Sequence, residues 1–418
     1  MSWRDEVRAL SEAPRELWLV YAVKLFESIA YFTVYTLLAI FLSEDLGYSD
    51  TEAGAVTGTW LTAVSVMVFG AGFVADAMGV RKALFVAVLS TAVGRGLLAL
   101  SGNETGVLLG LAASVWGIGC LKPTMNAAVR AYTTAQSVAY GFSFYYVMMN
   151  LGAVAQGPII SQFRTWFKAG ATLYGREFSS SELVFLVGFV VSCLNLGLVA
   201  LMREPARDET HAPKQGPLAI ARDVLKERAF WAFLLFVALL TFVRLIFQHA
   251  HLTWPKYTLR AFAEDFPFAT YWSINPAMII VMTPFVTAFT RRFRPYPVIV
   301  VGATISALSV FAMAFSTTVA ASVVFIVTLS IGEALWSPRL YEYTATIAPR
   351  GREASYMGLS EVPMFVAKPI VGWLSGWLLT AYCPSDGCHS PEHMWLVVGA
   401  MTLAAPVFML VFRRKLEA

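Results

Sequence analysis

The sequence is poor in charged residues. Asp, Glu, Lys and Arg make up 14% of its 418 residues, whereas a soluble domain contains about a quarter. A chain with 57% hydrophobic residues and so few charges cannot coat a water-facing surface, so we expect lipid to be its solvent. The sequence also lacks a phosphate-binding loop and a cluster of nucleophiles or metal ligands at one membrane face. These absences argue against an ATP-driven pump, against an enzyme and against any cofactor, and the net charge of +4 calls for no nucleic acid.

What the chain has in abundance is long apolar runs. Each is about 20 residues long, enough to cross a hydrocarbon core of about 30 Å as a helix. About twelve occur, near residues 17–42, 52–75, 83–101, 106–131, 139–163, 182–202, 229–252, 268–290, 295–315, 318–346, 354–381 and 392–412. Only helices and closed barrels satisfy their backbone in lipid, and these runs are too long for barrel strands. We therefore predict an all-α membrane protein with twelve transmembrane helices.

One long polar segment, residues 203–228, divides these runs into six and six. It contains three prolines, which is typical of a linker. We predict an N-terminal six-helix bundle over residues 1–202, a linker over 203–228 and a C-terminal six-helix bundle over 229–418. Two bundles of this kind indicate halves that rock about a central site.

Lys and Arg are concentrated in alternate loops, among them the 203–228 linker and the end of the chain at Arg413-Arg-Lys415. The loops on the other side are nearly bare, and residues 43–50 and 101–105 contain neither. The positive-inside rule then predicts that both termini are cytoplasmic. The expected location is a plasma membrane, the inner membrane in a bacterium. The polar start has no cleavable signal pattern, so we expect the first span to remain in the mature protein.

The loop between the second and third runs reads Gly72-Phe-Val-Ala-Asp76-Ala-Met-Gly79-Val-Arg81-Lys82. Gly72 allows close helix approach and Gly79 permits a tight turn. Asp76 is able to face an arginine or a helix N-terminus, while Arg81 and Lys82 anchor the turn at the headgroups. The pattern resembles the signature loop of the major facilitator superfamily. This resemblance implies the fold of that superfamily and a gating role for these five residues.

Several ionisable residues lie within the apolar runs, where they are costly and usually functional or paired. They are Lys24, Glu27, Arg95, Lys122, Arg244, Glu333 and Lys368. Lys122 and Glu333 have opposite charges, one in each half, and each lies beside glycine and proline residues that loosen a helix. Either they form a pair that breaks when substrate or a proton arrives, or they form a permanent salt bridge.

Four further motifs resemble signatures of the proton-coupled oligopeptide transporter family, in order along both halves. They are Gly117-x-Gly-x-x-Lys122-Pro, the segment from Phe144 to Gly152, the segment from Tyr271 to Pro276, and Gly332-Glu333-Ala-Leu-Trp336-Ser-Pro338. The resemblance implies that Lys122 and Asn150 face a substrate carboxylate. It likewise implies that Glu333 and Asn275 face an amino group.

The predicted substrate-binding set combines these positions with aromatic and charged neighbours. It comprises Lys24, Tyr31, Tyr35, Lys122, Tyr146, Asn150, Arg244, Asn275, Glu333 and Trp336. By the resemblance, Trp336 and the tyrosines form side-chain pockets, although aromatics at helical spacing serve equally as packing residues.

The first run departs from that family. Where the family has Glu-x-x-Glu-Arg, the alignment places Lys24 at the first Glu, Glu27 at the second and Ser28 at the Arg. Glu27 and Glu333 are the predicted proton carriers, because a carboxylate at membrane depth beside a cation is able to exchange its proton for substrate. Lys24 is either a permanent partner of Glu27, one helical turn away, or a contact for an anionic substrate.

The sequence therefore predicts a secondary transporter that works by alternating access. We expect proton-coupled symport of short peptides or of a related small zwitterionic or anionic solute. The expected partners are that solute, protons and the lipid bilayer, and the expected state is a monomer. The alternative is a proton-independent uniporter or exchanger, and the remaining possibility is a polytopic enzyme or scaffold.

Cys383 and Cys388 flank Pro-Ser-Asp-Gly in a predicted outer loop. An oxidising outer face and a turn-forming spacer make a local disulfide one of two readings, free thiols being the other. With His389 and His393 the pair loosely resembles a metal site, but the spacing matches no standard zinc pattern.

Overall fold

The computed structural model describes residues 13–71, 78–134, 137–205, 228–347 and 362–413. Within these ranges the chain is almost entirely helical. It divides into two compact units, the first comprising Met1–Ala206 with Ala263–Ala277 and the second Arg207–Phe262 with Met278–Ala418. The bundle limits at residues 202 and 229 stay a prediction.

The first unit is built from six long helices. They are α1 (Arg15–Glu44), α2 (Asp50–Gly70), α3 (Val80–Leu100), α4 (Glu104–Ala131), α5 (Val138–Trp166) and α6 (Ser180–Ala200). An antiparallel hairpin of β1 (Ala171–Leu173) and β2 (Arg176–Phe178) joins α5 to α6, with Thr172 opposite Glu177. Ser49 and Ser179 begin α2 and α6 with capping boxes that include Glu52 and Glu182, which satisfy backbone N–H groups at the helix starts.

The second unit contains the helices of the second half of the sequence. They are α7 (Arg228–Leu252), α8 (Trp254–Ala261), α10 (Ile274–Thr290), α11 (Pro295–Ser309), α12 (Phe311–Phe315), α13 (Val319–Ile347), α14 (Val362–Tyr382) and α15 (Pro391–Val411). The short helix α9 (Phe268–Trp272) and the first residues of α10 group with the first unit.

A helix lies in each of the twelve predicted apolar runs. In the part of the chain that the structure describes, ten stretches have the length and hydropathy needed to cross a membrane. The helices α2 and α5 are also long, and they contain buried polar residues such as Thr57 and Ser65 in α2 and Asn150 and Gln156 in α5. The prediction of an all-α membrane protein is confirmed.

Glycines allow close helix crossings in each unit. A Cβ on Gly94 of α3 would lie 2.7 Å from the carbonyl oxygen of Gly110 on α4, and the reverse distance is also 2.7 Å. In the second unit, a Cβ on Gly302 of α11 would lie 2.8 Å from the carbonyl oxygen of Gly332 on α13. Small residues at such crossings let helix backbones approach and gain packing in lipid, where the hydrophobic effect does not drive association.

Candidate functional site

Glu27 of α1 forms a buried ion pair with Arg95 of α3. Arg95 donates from Nη1 to Oε2 of Glu27 over 2.9 Å and from Nη2 to Oε1 over 2.6 Å. It also donates from Nη1 to the hydroxyl of Ser192 on α6 over 2.7 Å. Glu27 is 4% exposed and Arg95 is 1% exposed. The ion-pair partner of Glu27 is thus Arg95 and not Lys24, and the pair links three helices of the first unit.

Lys24 lies one turn before Glu27 and has different surroundings. Its Nζ sits over the ring of Tyr145 on α5, 4.7 Å from the ring centroid, a cation–π contact. It is attracted by Glu27 and repelled by the ammonium of Lys122 on α4. The structure therefore brings two of the predicted substrate-binding cations near each other in the first unit.

The approach of α1 and α5 has a local cause in the sequence. A Cβ on Gly152 of α5 would lie 2.5 Å from Cβ of Ser28, 2.8 Å from the carbonyl oxygen of Leu25 and 3.0 Å from the backbone nitrogen of Ile29. Glycine is therefore required for the two backbones to come this close. The close approach places Tyr145, two turns before Gly152, beside Lys24.

The predicted tyrosines of α1 belong to an aromatic group. The Tyr31 ring lies 5.7 Å from that of Tyr35 and 6.4 Å from that of Trp60 on α2. Trp60 is anchored by a 2.8 Å hydrogen bond from its Nε1 to the hydroxyl of Ser114 on α4. Tyr35 is buried and Tyr31 is half-buried, so the group packs helices together while leaving part of Tyr31 accessible.

Asn150 and Tyr146 of α5 lie one turn apart. The side-chain amide of Asn150 donates a 3.0 Å hydrogen bond to the carbonyl oxygen of Tyr146. Asn150 is buried, whereas the Tyr146 side chain is exposed. This bond uses the amide nitrogen of Asn150 and holds the side chain against its own helix.

Asn275 belongs to the segment Ala263–Ala277, which groups with the first unit although it lies in the second half of the sequence. The segment packs on α5, where the Ser273 hydroxyl donates to the carbonyl oxygen of Val154 over 3.0 Å and Thr270 N donates to the Ser161 hydroxyl over 3.3 Å. Gly157 permits this approach, because a Cβ there would collide with Ser273 and with the Ala269 backbone. Asn275 is thus placed by α5, the helix that also contains Asn150.

In the second unit, Arg244 of α7 stacks on Trp336 of α13. The guanidinium carbon lies 4.7 Å from the ring centroid of Trp336. Trp336 is fully buried at 0% exposure, and its Nε1 donates to the Ser306 hydroxyl on α11 over 3.3 Å. The predicted pocket residue is therefore covered by Arg244 and by the α11–α13 crossing. Its contact with a substrate stays a prediction.

Glu333 lies on α13 three residues before Trp336, and its side chain is half-buried. Gly332 beside it makes the close crossing with Gly302. Further along α7, the Gln248 amide donates to the Met364 sulfur on α14 over 3.0 Å. Glu333 therefore lies within one turn of Trp336 on α13, and Arg244 contacts Trp336 from α7.

Gly79 precedes α3 with a φ of +85°, a conformation that favours glycine. The carboxylate of Glu204 accepts hydrogen bonds from the backbone N–H groups of Val80 over 2.6 Å and Arg81 over 3.0 Å. Arg81 donates to the carbonyl oxygen of Ala200 over 2.8 Å, and Lys82 is exposed. The turn predicted at Gly79 is present, and an anion neutralises the helix N-terminus. Gly72 and Asp76 lie outside the described residues.

Cys383 and Cys388 form a disulfide bond. Arg260, at the end of α8, donates from Nη1 to the carbonyl oxygen of Cys383 over 2.7 Å. This contact joins the loop between α14 and α15 to α8.

Three residues with structural importance were absent from the predicted site. Arg95 is the bidentate partner of Glu27, Tyr145 lies under Lys24, and Glu204 caps α3. Arg95 had a signal, since a lone cation in an apolar run requires a partner. The sequence contains no comparable signal for Tyr145 or Glu204, because their contacts depend on which helices pack together.

Comparison with known proteins gives a coherent set of relatives. Dipeptide and tripeptide permease A of Salmonella typhi is 24% identical over 187 residues, which cover 44% of this chain and 35% of that protein. The permease of the same name from Edwardsiella piscicida is 24% identical over 217 residues, covering 50% and 41%. The matched part thus spans less than half the length of these curated relatives.

Solved structures resemble the chain over nearly its whole length. A POT family transporter in complex with 5-aminolevulinic acid superposes with a TM-score of 0.80 at 17% identity, covering 97% of both chains. A structure of proton dependent oligopeptide transporters gives a TM-score of 0.75 at 20% identity, covering 96% of this chain and 98% of that one. The family profile described as Major Facilitator Superfamily matches residues 20–362. The chain belongs to the major facilitator superfamily and has the fold seen in POT family transporters.

Proposed function

We propose that the protein is a secondary active transporter that couples proton movement to the symport of short peptides or of a related small zwitterionic or anionic solute. The observation that carries this proposal is the presence of ionisable side chains at membrane depth in each unit. Lys24 and Lys122 lie in the first unit, and Arg244 and Glu333 lie in the second. Such groups are costly in lipid and mark transport pathways. The similarity to dipeptide and tripeptide permeases and to proton dependent oligopeptide transporters supports peptides as the substrate class.

In this proposal, Lys122 and Asn150 bind the substrate carboxylate, while Glu333 and Asn275 bind its amino group. Tyr31, Tyr35, Tyr146 and Trp336 surround the side chains of the substrate. A zwitterion needs opposite charges at a fixed separation, and these residue types supply them.

Of the two predicted proton carriers, Glu27 and Glu333, we propose that Glu333 carries the transported proton. Both carboxylate oxygens of Glu27 accept hydrogen bonds from Arg95. Protonation of Glu27 would leave a buried guanidinium without its counter-charge, which is strongly unfavourable. Glu333 is half-buried, and we assign proton coupling to it.

Glu333→Gln tests this assignment in proteoliposomes with an imposed pH gradient. We expect concentrative uptake of a labelled dipeptide to be lost, because glutamine cannot carry a proton. Counterflow exchange of the same dipeptide without a gradient should persist. The measurement is the ratio of gradient-driven uptake to counterflow.

The matched control is Glu44→Gln, which removes an exposed carboxylate at the end of α1 and should leave both activities at the parent level. If Glu333→Gln still concentrates the dipeptide with a pH gradient, Glu333 is not the coupling residue.

The sequestration of Glu27 by Arg95 favours one second candidate, a proton-independent exchanger, since it removes one of the two predicted proton carriers. Uptake that ignores the pH gradient but rises with substrate inside the vesicles would identify this exchanger.

The remaining parts of the proposal concern the whole molecule. We place it in the plasma membrane with both termini on the cytoplasmic side, on the basis of its Lys and Arg distribution. We also propose a monomer as the working unit. Light scattering of the detergent-purified protein gives its oligomeric state, and labelling of cysteines introduced at each terminus gives its topology.

A further inference from the structure

Lys24 and Lys122 are two cations of the first unit without a carboxylate partner in the part of the chain that the structure describes. The carboxylate nearest to Lys24 in sequence, Glu27, is bound through both oxygens by Arg95. Neither lysine forms an ion pair with a described residue, and Lys24 and Lys122 repel each other. The Glu27–Arg95 pair is neutral as a unit, so the two lysines leave an excess of two positive charges in their surroundings.

The two lysine side chains are also accessible, and Lys24 is held in place. Lys24 is half-buried and fixed over the Tyr145 ring, while the Lys122 side chain is exposed. Like charges placed near each other at membrane depth raise the free energy of the folded protein. An anion bound between them would relieve that cost, and this gain would contribute to its affinity.

The hydroxyl of Tyr145 gives a second, independent indication of a ligand. Tyr145 is 8% exposed, and its hydroxyl is buried without a hydrogen-bond partner among the described residues. An unsatisfied buried hydroxyl costs about 1–3 kcal/mol. This hydroxyl is on the same ring that Lys24 covers, so a ligand at Lys24 would have a hydrogen-bond donor within reach.

We propose that Lys24, Lys122 and the Tyr145 hydroxyl form a subsite for a substrate end with two negative charges. The proposal rests on the proposed transport function for its occupant, which is a short peptide whose C-terminal residue is Asp or Glu. One carboxylate would neutralise only one of the two ammonium groups. The two carboxylates of one C-terminal Asp or Glu match both charges and leave an oxygen for the tyrosine hydroxyl.

The transport test compares Ala-Glu with Ala-Gln as competitors of labelled dipeptide uptake into proteoliposomes. The two peptides have nearly the same shape and differ by one negative charge. In the parent protein we expect Ala-Glu to inhibit at a concentration about tenfold lower, the scale of one charge-assisted hydrogen bond. Lys24→Gln should bring the two inhibitory concentrations together, and Lys24→Arg should restore most of the preference.

The matched control is Lys168→Gln, because Lys168 is 61% exposed and pairs with Glu264 at 3.5 Å. This variant should keep the tenfold preference. Equal inhibition by both peptides in the parent protein, or an unchanged preference in Lys24→Gln, overturns the subsite.

A binding test separates this inference from the proposed function. Thermal shifts of the purified protein are measured with succinate, with succinamate and with inorganic phosphate. Succinate should raise the melting temperature more than succinamate in the parent protein but not in Lys24→Gln. Succinate stabilisation without any peptide transport would overturn the proposed function and keep the subsite. Peptide transport with no preference for succinate over succinamate would overturn the subsite and keep the proposed function. Stabilisation by phosphate alone would indicate a phosphate-bearing ligand and overturn the peptide with a C-terminal Asp or Glu as the occupant.

Discussion

Glu27 and Lys24 lie three residues apart on α1, and their surroundings differ sharply. Glu27 is bound by Arg95 through two hydrogen bonds, and a third links Arg95 to Ser192. Lys24 contacts an aromatic ring and lies near a second lysine. An acid and a base one helical turn apart therefore need not pair with each other when another helix offers a better partner.

The physical reason is geometric. Residues three apart on a helix are neighbours, but a pair between them contributes only about 0.2–0.5 kcal/mol on an exposed helix. A guanidinium from another helix presents two parallel N–H groups to both carboxylate oxygens, which is a stronger and more directional contact. Arg95 therefore outcompetes Lys24 for Glu27 once α1, α3 and α6 pack together.

The largest expected effect comes from Arg95→Met. This change keeps an unbranched side chain but leaves the Glu27 carboxylate buried without its partner. We expect the free energy of unfolding to fall by about 3–5 kcal/mol, as for other broken buried pairs. Reversible unfolding in mixed micelles provides the measurement.

The control for this variant is Arg164→Met, which breaks the more exposed pair of Arg164 with Glu44. Its cost should be about 0–1 kcal/mol. If the two variants lose equal stability, burial does not distinguish the pairs. A second outcome is a small loss in Arg95→Met that becomes large in the double variant Arg95→Met with Lys24→Gln. Lys24 would then pair with Glu27 when Arg95 is absent, and the contrast between Glu27 and Lys24 would be weaker than described.

A medium effect is expected from Gly152→Ala. The added Cβ would lie 2.5 Å from Cβ of Ser28 and 2.8 Å from the carbonyl oxygen of Leu25, both on the face of α1 between Lys24 and Ile29. Overpacking of this kind costs about 1–3 kcal/mol. Reversible unfolding in mixed micelles should show this decrease in the free energy of unfolding.

Gly197→Ala in α6 is the matched control, since nothing lies within 4 Å of a Cβ there. Alanine should raise stability by about 0.5–1 kcal/mol at that position, because it has less backbone freedom to lose. Equal effects at the two glycines would contradict a close contact of α1 with α5.

The smallest effect concerns Asp45, just beyond the end of α1. Partial burial raises the pKa of the Asp45 carboxyl from 3.8 to about 6, against the opposing hydrogen bond from Ser179. The folded state then binds a proton more tightly than the unfolded state, so stability falls as pH rises from about 4 to about 6. Asp45→Asn should remove this part of the pH dependence, leaving the variant relatively more stable at pH 7 than at pH 4. Melting temperatures across this range measure it.

Because part of the Asp45 side chain still contacts water, water screens its interactions and the change should be smaller than that of Gly152→Ala. A pH dependence that is identical in the parent protein and in Asp45→Asn would show that Asp45 titrates at its ordinary pKa. The contrast between Asp45 and Glu27 of α1 would then rest on the buried pair of Glu27 alone.

Much of the architecture was predictable. Runs of about 20 apolar residues have few ways to satisfy their backbone in lipid, so the helices follow from hydropathy. The turn at Gly79 followed from the need for a positive φ. The predicted site was harder, since Trp336 is buried under Arg244 and Asn275 groups with the first unit. A list of aromatic and polar residues does not say which of them a neighbouring helix will cover.

Hydropathy and the placement of charges were sufficient to predict an all-α membrane protein with a helix in each of twelve apolar runs and to identify its costly ionisable residues, because transfer into lipid depends mainly on residue type. Which of those residues pair depended on helix packing. Gly94 and Gly110 set how closely α3 and α4 approach, and Gly152 sets how closely α1 and α5 approach. The second approach leaves Lys24 beside Tyr145, while Arg95 meets Glu27 where α1, α3 and α6 come together. A pairing between helices depends on distances of a few tenths of an ångström, and side chains far apart in sequence set those distances.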